Sequence, residues 1–407
     1  MASSARHALA RTLGRAAGRA SQLAGLGGGT TVGGRITLAL DPNALRTAAA
    51  GRDLAVVSGT NGKTTTRTLL VAALRTNGTV VSNDGGANLP SGLVAALTAD
   101  RISPLGVLEV DEPYLPAVVA AVRPRVAVLL NLTRDQLDRY AEVRRLAGIW
   151  RSAVPAVPVV VANADDPLVV WAAEVAPAVR WVGAGLAWRQ DAVACPACGD
   201  VIRSDGAGWS SGCGLRRPEP AWVLTATGLR DPAGVEHPLR LALPGAANRG
   251  NAALAAAAAA ELGVPPATAL PAIAGVAGVE GRYVETRHEG RLVRLLLAKN
   301  PAGWQEALSH LRPAPAGLVV AVNARAADGR DPAWLWDVPF EALAGRPVIA
   351  SGERSRDVAV RLRYAGVEHE RVDDLRRALA AADGTRIEAL GNYTAFQQLR
   401  RVVRDAR

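Results

Sequence analysis

Lysine is nearly missing from this 407-residue chain: of 47 basic residues only Lys63 and Lys299 are lysines, and the other 45 are arginines. An ammonium is a compact point charge that fits between phosphate oxygens, whereas a guanidinium is a broad planar fork. Arginine therefore serves wherever positive charge alone suffices, and the two lysines are the first positions to examine for chemistry. Aromatic residues make up only 4% of the chain, so the net charge of +10 lacks the stacking side chains of a nucleic-acid surface, and no nucleic-acid partner is expected. Three cysteines do not build a disulfide framework. No apolar run approaches the roughly 18 to 20 residues of a membrane span. Residues 1–29 carry Arg6, Arg11, Arg15 and Arg19 without the apolar core of a signal peptide. A cytoplasmic protein is expected. The N-terminal arginines, about four apart among Ala and Leu, leave two readings open: a helix lying at the inner face of an anionic membrane, or a simple docking helix.

What is present is a globular composition of 49% hydrophobic residues, with length enough for two or three domains. Leu54-Ala55-Val56-Val57 reads as a buried parallel strand, Ser58 to Gly62 as a turn, and Thr64 to Leu74 as a helix. At this junction lies Gly59-Thr60-Asn61-Gly62-Lys63-Thr64-Thr65. Glycines let backbone amides close around phosphate oxygens and the helix N-terminus adds its dipole; Lys63 neutralises phosphates and Thr64 ligates Mg²⁺. Val57 stands where the first glycine of G-x4-G-K-[ST] is expected, so the match is incomplete. Later apolar runs end in Glu109, Asp111 and Glu112, in Asn131 to Gln136, and in Asn163, Asp165 and Asp166. In an open parallel sheet these strand ends converge on one crevice.

These residues resemble the Mur ligases, which activate a carboxylate as an acyl phosphate for attack by an amine. GTNGKTTT at 59–66, Glu109, NLTRDQLDR at 131–139, NADD at 163–166, GAANRGN at 245–251 and Gly281-Arg282 follow that family's order. The resemblance implies ATP at Gly59 to Thr65, Mg²⁺ held by Thr64 and Glu109, Asn248 near the base and Arg282 near the phosphates. Several motifs are similar to the MurT branch, the ligase subunits of lipid II isoglutaminyl synthases: SNDGGANLPSG at 82–92, AKNPAG at 298–303, ADGRDPAWLWDVPFE at 327–341, SGERSRDVAVRLRYAGV at 351–367 and NYTAF at 392–396. The similarity runs from about residue 45 to the end.

Three observations agree with that branch. Only 58 residues precede Gly59, fewer than a sugar-nucleotide domain needs, so a lipid-carried substrate, lipid II, is expected. No lysine lies between Lys63 and Lys299, which removes the carbamoylated lysine of ordinary Mur ligases. The chain also lacks a glutaminase's nucleophile and base, because Cys195, Cys198 and Cys213 share one segment with no histidine between His7 and His237. A separate GatD-type glutamine amidotransferase subunit is implied. The resemblance assigns Asp331 to that partner's Cys-His pair; on sequence alone a helix-capping role is an equal reading. Lys299, heading its own motif, is a candidate for stabilising the transferring phosphoryl group.

The three cysteines outline a zinc-ribbon-like hairpin at about 190–219, with Ser210 and Ser211 where the family has a further cysteine. Tetrahedral zinc needs four ligands. Zn²⁺ completed by water or a side chain, and a metal-free ribbon, both remain open.

The expected fold class is α/β throughout: a basic segment at 1–44, a P-loop Mur-ligase ATPase domain at 45–288 carrying the ribbon, and a smaller Rossmann-like domain at 289–407. The expected function is ATP-dependent amidation of the α-carboxylate of D-glutamate in the lipid II stem peptide, in peptidoglycan biosynthesis. The alternative is a Mur-type or folylpolyglutamate-type amino-acid ligase.

Overall fold

The computed structural model describes residues 2–23, 30–83, 87–100, 102–135, 142–186, 188–206, 208–278, 283–312 and 316–404. The chain forms two compact units, Met1–Leu132 with Val143–Ala277, and Thr133–Glu142 with Gly278–Arg407.

The first unit is built on a nine-stranded sheet. From one edge its strands are Glu236–Pro238, Gly228–Arg230, Trp222–Leu224, Val179–Gly183, Val159–Asn163, Val126–Leu129, Asp53–Ser58, Leu105–Glu109 and Val80–Ser82. The six strands from Val179–Gly183 to Val80–Ser82 are mutually parallel, and the two pairings at the Glu236–Pro238 edge are antiparallel. Residues 54–58 are buried without alternation because helices cover both sheet faces, the mark of a central parallel strand. One covering helix, Ala246–Glu261, buries Ala252 to Ala259 on every side. Its Ala-rich sequence is a packing requirement, since small side chains let it settle between the sheet and the helix Lys63–Leu74.

The N-terminal helices Ala2–Leu23 and Thr30–Leu40 pack together, and the second lies on the helix Pro90–Ala99. They touch through glycine: a Cβ on Gly14 would fall 2.7 Å from the Gly33 carbonyl oxygen, and one on Gly34 would fall 1.7 Å from that of Ser91. Arg6 Nε donates to the Leu40 carbonyl at 2.6 Å, and Arg15 donates to that of Thr98. The segment thus docks on the fold, as the second of the two sequence readings has it. Among the described residues no helix is long and apolar enough to cross a membrane.

The second unit holds a six-stranded sheet in the order Tyr283–His288, Arg291–Leu297, Arg386–Gly391, Gly317–Ala321, Val348–Ser351, His369–Arg371. All pairings are parallel except the first. The strand Tyr283–His288 corrects the expected boundary at residue 289. It pairs over its whole length with Arg291–Leu297 through a turn at Glu289-Gly290, so the second sheet begins earlier.

Candidate active site

The turn from Asp53–Ser58 into the helix Lys63–Leu74 is held from below by Asn131. Its Oδ1 accepts from Asn61 N at 3.0 Å, its Nδ2 donates to the Asn61 carbonyl at 3.0 Å, and its own carbonyl accepts from Thr60 N at 3.0 Å. Gly62 has φ +86°, and a Cβ there would lie 2.5 Å from Asn251 Oδ1, so only glycine fits. Asn251 Nδ2 in turn faces Asn248 Oδ1 at 3.4 Å, which brings the start of Ala246–Glu261 beside the turn. Thr60 and Thr65 are buried and Gly59 packs against Leu130.

At the helix start, Lys63 is 6% exposed and its Nζ lies 2.7 Å from Glu112 Oε2 and 3.3 Å from Asp111 Oδ1. Burial disfavours the ammonium, but Glu112, Asp111 and Glu109 together outweigh it and raise its pKa. Burial pushes the Glu112 carboxyl up to about 7, against the attraction of Lys63. Thr64 Oγ1 donates to Glu109 Oε1 at 3.2 Å. Glu109 is 3% exposed and its Oε2 accepts no hydrogen bond, though Arg67 Nε stands 3.6 Å away. An anionic oxygen that accepts no hydrogen bond, beside a threonine hydroxyl, is a donor set that fits a hard cation such as Mg²⁺. Asp166, capping Pro167–Ala173, accepts from the amides of Leu132 and Leu168 at 2.9 Å each; burial nevertheless pushes its carboxyl up to about 6.

Lys63, Thr64 and Glu109 thus lie together, with Asn248 near the turn. Arg282 lies outside the described residues. The sequence places Asp111, Glu112 and Asn131 at the crevice, but not as the partners of Lys63 and of the turn, and it gives no separate role to Asn83 or Asn251. Asn83 belongs to the SNDGGANLPSG motif, which was the available signal.

In the second unit, Lys299 is half-buried two residues beyond Arg291–Leu297, beside Asn300, whose Oδ1 caps Pro301–Ser309 through Gly303 N at 2.9 Å. The two aspartates of the DGRD run differ. Asp328 is 6% exposed and accepts from Thr394 N at 2.8 Å, Thr394 Oγ1 at 2.5 Å and Arg325 N at 3.2 Å. Asp331 is exposed, with one oxygen accepting from Ala333 N at 2.8 Å at the start of the 3₁₀ helix Ala333–Asp337.

The sulfur atoms of Cys195, Cys198 and Cys213 lie within 4.8 Å of one another. Cys195 is buried, and the Ser211 hydroxyl stands 3.3 Å from Cys198 Sγ and 3.7 Å from Cys213 Sγ. The Leu215 amide, then the Ser211 hydroxyl, lower the Cys213 thiol to about 7. Three converging thiols with a hydroxyl fit a thiophilic cation with three protein sulfurs.

A P-loop at the end of a parallel strand, with lysine, threonine and a buried glutamate around one point, defines a Mur-type nucleotide-dependent ligase site. The family model described as Mur ligase middle domain matches residues 57–194, and MurT ligase C-terminal matches residues 297–396. The chain is 30% identical to the lipid II isoglutaminyl synthase (glutamine-hydrolyzing) subunit MurT of Streptococcus pneumoniae over 97% of each chain. It is 28% identical to the subunit of that name from Staphylococcus aureus, over 88% of this chain and 86% of that one. The chain belongs to the MurT family of Mur ligases. Its fold is shared with a pseudomurein peptide ligase type C from Methanothermus fervidus, at TM-score 0.70 and 19% identity over 88% of this chain and 79% of that one. It is shared too with MurF from Thermotoga maritima in complex with ADP, at TM-score 0.61 and 16% identity over 90% and 83%.

Proposed function

We propose that this chain is the ligase subunit of a lipid II isoglutaminyl synthase. ATP binds along Gly59 to Thr65, the Asn61 and Gly62 backbone facing its phosphates and Lys63 turning from Glu112 toward them. Mg²⁺ held by Thr64 and Glu109 would neutralise charge on the phosphates during transfer of the γ-phosphoryl group to the carboxylate. The α-carboxylate of D-glutamate in the stem peptide attacks the γ-phosphorus, releasing ADP and giving an acyl phosphate. Ammonia then attacks the acyl carbon and expels phosphate, leaving D-isoglutamine. Lys299 stabilises the transferring phosphoryl group, Asn248 lies near the base, and Arg282 contributes at the phosphates.

Ammonia comes from a GatD-type glutamine amidotransferase subunit, whose Cys-His pair Asp331 completes by orienting the imidazole. Of the two DGRD aspartates only Asp331 is exposed, which favours it for that role. The substrate is met at the inner face of the membrane. The cysteine hairpin is a ribbon insertion that holds Zn²⁺ through Cys195, Cys198 and Cys213.

The observation that carries this reading is the convergence of Lys63, Thr64 and Glu109 at one helix start, in a chain whose MurT-type motifs run through both units. The test is amidation of lipid II by the chain, with ATP and ammonia, and with glutamine once the GatD-type subunit is added. ADP release that depends on an amino acid and needs no glutaminase would instead establish the amino-acid ligase.

A further inference from the structure

The helix Ala2–Leu23 reverses the usual order of large side chains inside and small ones outside. Ala10, Gly14 and Ser21 form the side it buries against the fold. The opposite side carries Leu9 (60% exposed), Leu13 (45%) and Leu23 (91%), with the exposed Ala16 and Ala20 between them. At about 100° per residue these five positions fall in one strip roughly 80° wide, running for about four turns. Of the five most exposed leucines among the described residues, four, Leu9, Leu13, Leu23 and Leu40, lie in the first 40 residues. The apolar exposure is therefore a patch and not a scatter of single side chains.

We propose that the outer face of Ala2–Leu23 is the surface by which the chain rests on an anionic lipid bilayer. Charge names the occupant. Residues 1–40 hold five arginines, Arg6, Arg11, Arg15, Arg19 and Arg35, and all 37 acids of the chain lie beyond them. By helical position Arg6 and Arg19, both exposed, border the leucine strip on its two sides. Leucines enter the acyl boundary while guanidinium groups on longer stems stay among the phosphates, which is the pattern of a helix lying in a membrane interface. A second copy of this chain fits less well, because it would set one row of arginines against another, and leucine is a poor anchor in protein interfaces. The inner face fixes the orientation: Gly14 meets Gly33, and Arg15 donates to the Thr98 carbonyl, so the leucines are held outward. The surface itself is argued from exposure and charge. Only its purpose, holding the ligase where a lipid-carried stem peptide is presented, rests on the function proposed above.

The experiment measures co-sedimentation of the full chain with vesicles of equal parts phosphatidylglycerol and phosphatidylcholine, and with vesicles of phosphatidylcholine alone. Partition into the anionic vesicles is expected to be at least about tenfold stronger. The triple variant Leu9→Ser/Leu13→Ser/Leu23→Ser should lower it about 30-fold. Arg19→Glu should lower it about tenfold, a loss that disappears at about 1 M salt. Both variants should keep the melting temperature of the unsubstituted chain, since the altered side chains are exposed. Equal partition into the two kinds of vesicle overturns the proposal, as does partition of both variants within about twofold of the unsubstituted chain. So does a dimer in sedimentation that the triple variant disperses, since the strip then serves a second copy. Amidation of lipid II in detergent by a chain that ignores vesicles would remove the surface and keep the ligase. Vesicle binding by a chain that leaves lipid II unamidated would do the reverse.

Discussion

The Asn83 side chain clasps the main chain of Glu109 from both sides: its Oδ1 accepts from Glu109 N at 2.8 Å and its Nδ2 donates to the Glu109 carbonyl at 2.9 Å. Arg67 backs this arrangement by donating to the Asn83 carbonyl at 2.6 Å. The clasp sets where Glu109 Oε2 stands relative to Thr64. Asn83→Ala should raise the Mg²⁺ concentration needed for half-maximal ADP release about tenfold, and Glu109→Gln should raise it further. A magnesium titration of each variant checks both; no change for Asn83→Ala would show that Glu109 needs no such support.

Lys63 and the carboxylate of Glu112 form a buried pair, so removing one member strands the other. Lys63→Met should lower ADP release by about a thousandfold and stability by about 3 to 5 kcal/mol. Adding Glu112→Gln should restore the stability and leave turnover absent. Urea unfolding and a coupled ADP assay separate the two effects.

Asp166 carries a pH signature. Its carboxyl is shifted by burial from an ordinary value near 3.8 to about 6. Between those values the folded chain holds a proton that the unfolded chain has released. The stabilisation is therefore complete below about pH 4 and lost as pH rises through 6. Asp166→Asn keeps an amide-accepting cap but cannot titrate. Its stability relative to the unsubstituted chain should rise across that window and be flat above it, as followed by urea unfolding at each pH.

Asp328 and Asp331 should fail differently. Asp328→Asn breaks buried contacts to Thr394 and costs about 2 kcal/mol of stability. Asp331→Asn should leave stability unchanged and ammonia-dependent turnover intact, but lower glutamine-dependent turnover at least about a hundredfold. Equal loss with both nitrogen sources would move Asp331 out of the glutaminase site.

Ser211 touches two of the three thiols, so Ser211→Cys supplies a fourth sulfur where the Oγ now stands. Zinc content after dialysis should rise toward one per chain in the variant, relative to the unsubstituted protein, by metal analysis. A content near zero in both proteins would mean that the hairpin does not close on a metal.

The strands that the apolar runs foretold are those buried on both faces. Leu54 to Val57 declares itself because no polar residue interrupts it. Tyr283–His288 is not legible because only its first two residues are apolar, Glu285 to His288 being polar or charged along an antiparallel edge, and the hairpin at Glu289-Gly290 looks like a linker. The lysine, threonine and glutamate of the candidate site were legible because Lys63 and Thr64 open the helix that follows an apolar strand and its glycine turn, and Glu109 closes the apolar strand Leu105–Glu109. The clasp of Asn83 on Glu109 and the hold of Asn131 on the turn were not. Each joins segments tens of residues apart, and an asparagine after a strand reads equally well as a turn residue. Asp328 and Thr394 make the same point, since two short motifs 66 residues apart turn out to be halves of one hydrogen-bonded unit.

The burial of Lys63 has a consequence for how the chain can be marked. Any enzyme or reagent that acts on lysine amines finds two side-chain acceptors here, and one of them is 6% exposed behind two carboxylates. Acylation of the folded protein should therefore fall on Lys299 first. The extent of labelling at that single position becomes a direct gauge of its accessibility through the catalytic cycle, with almost no background from the rest of the surface.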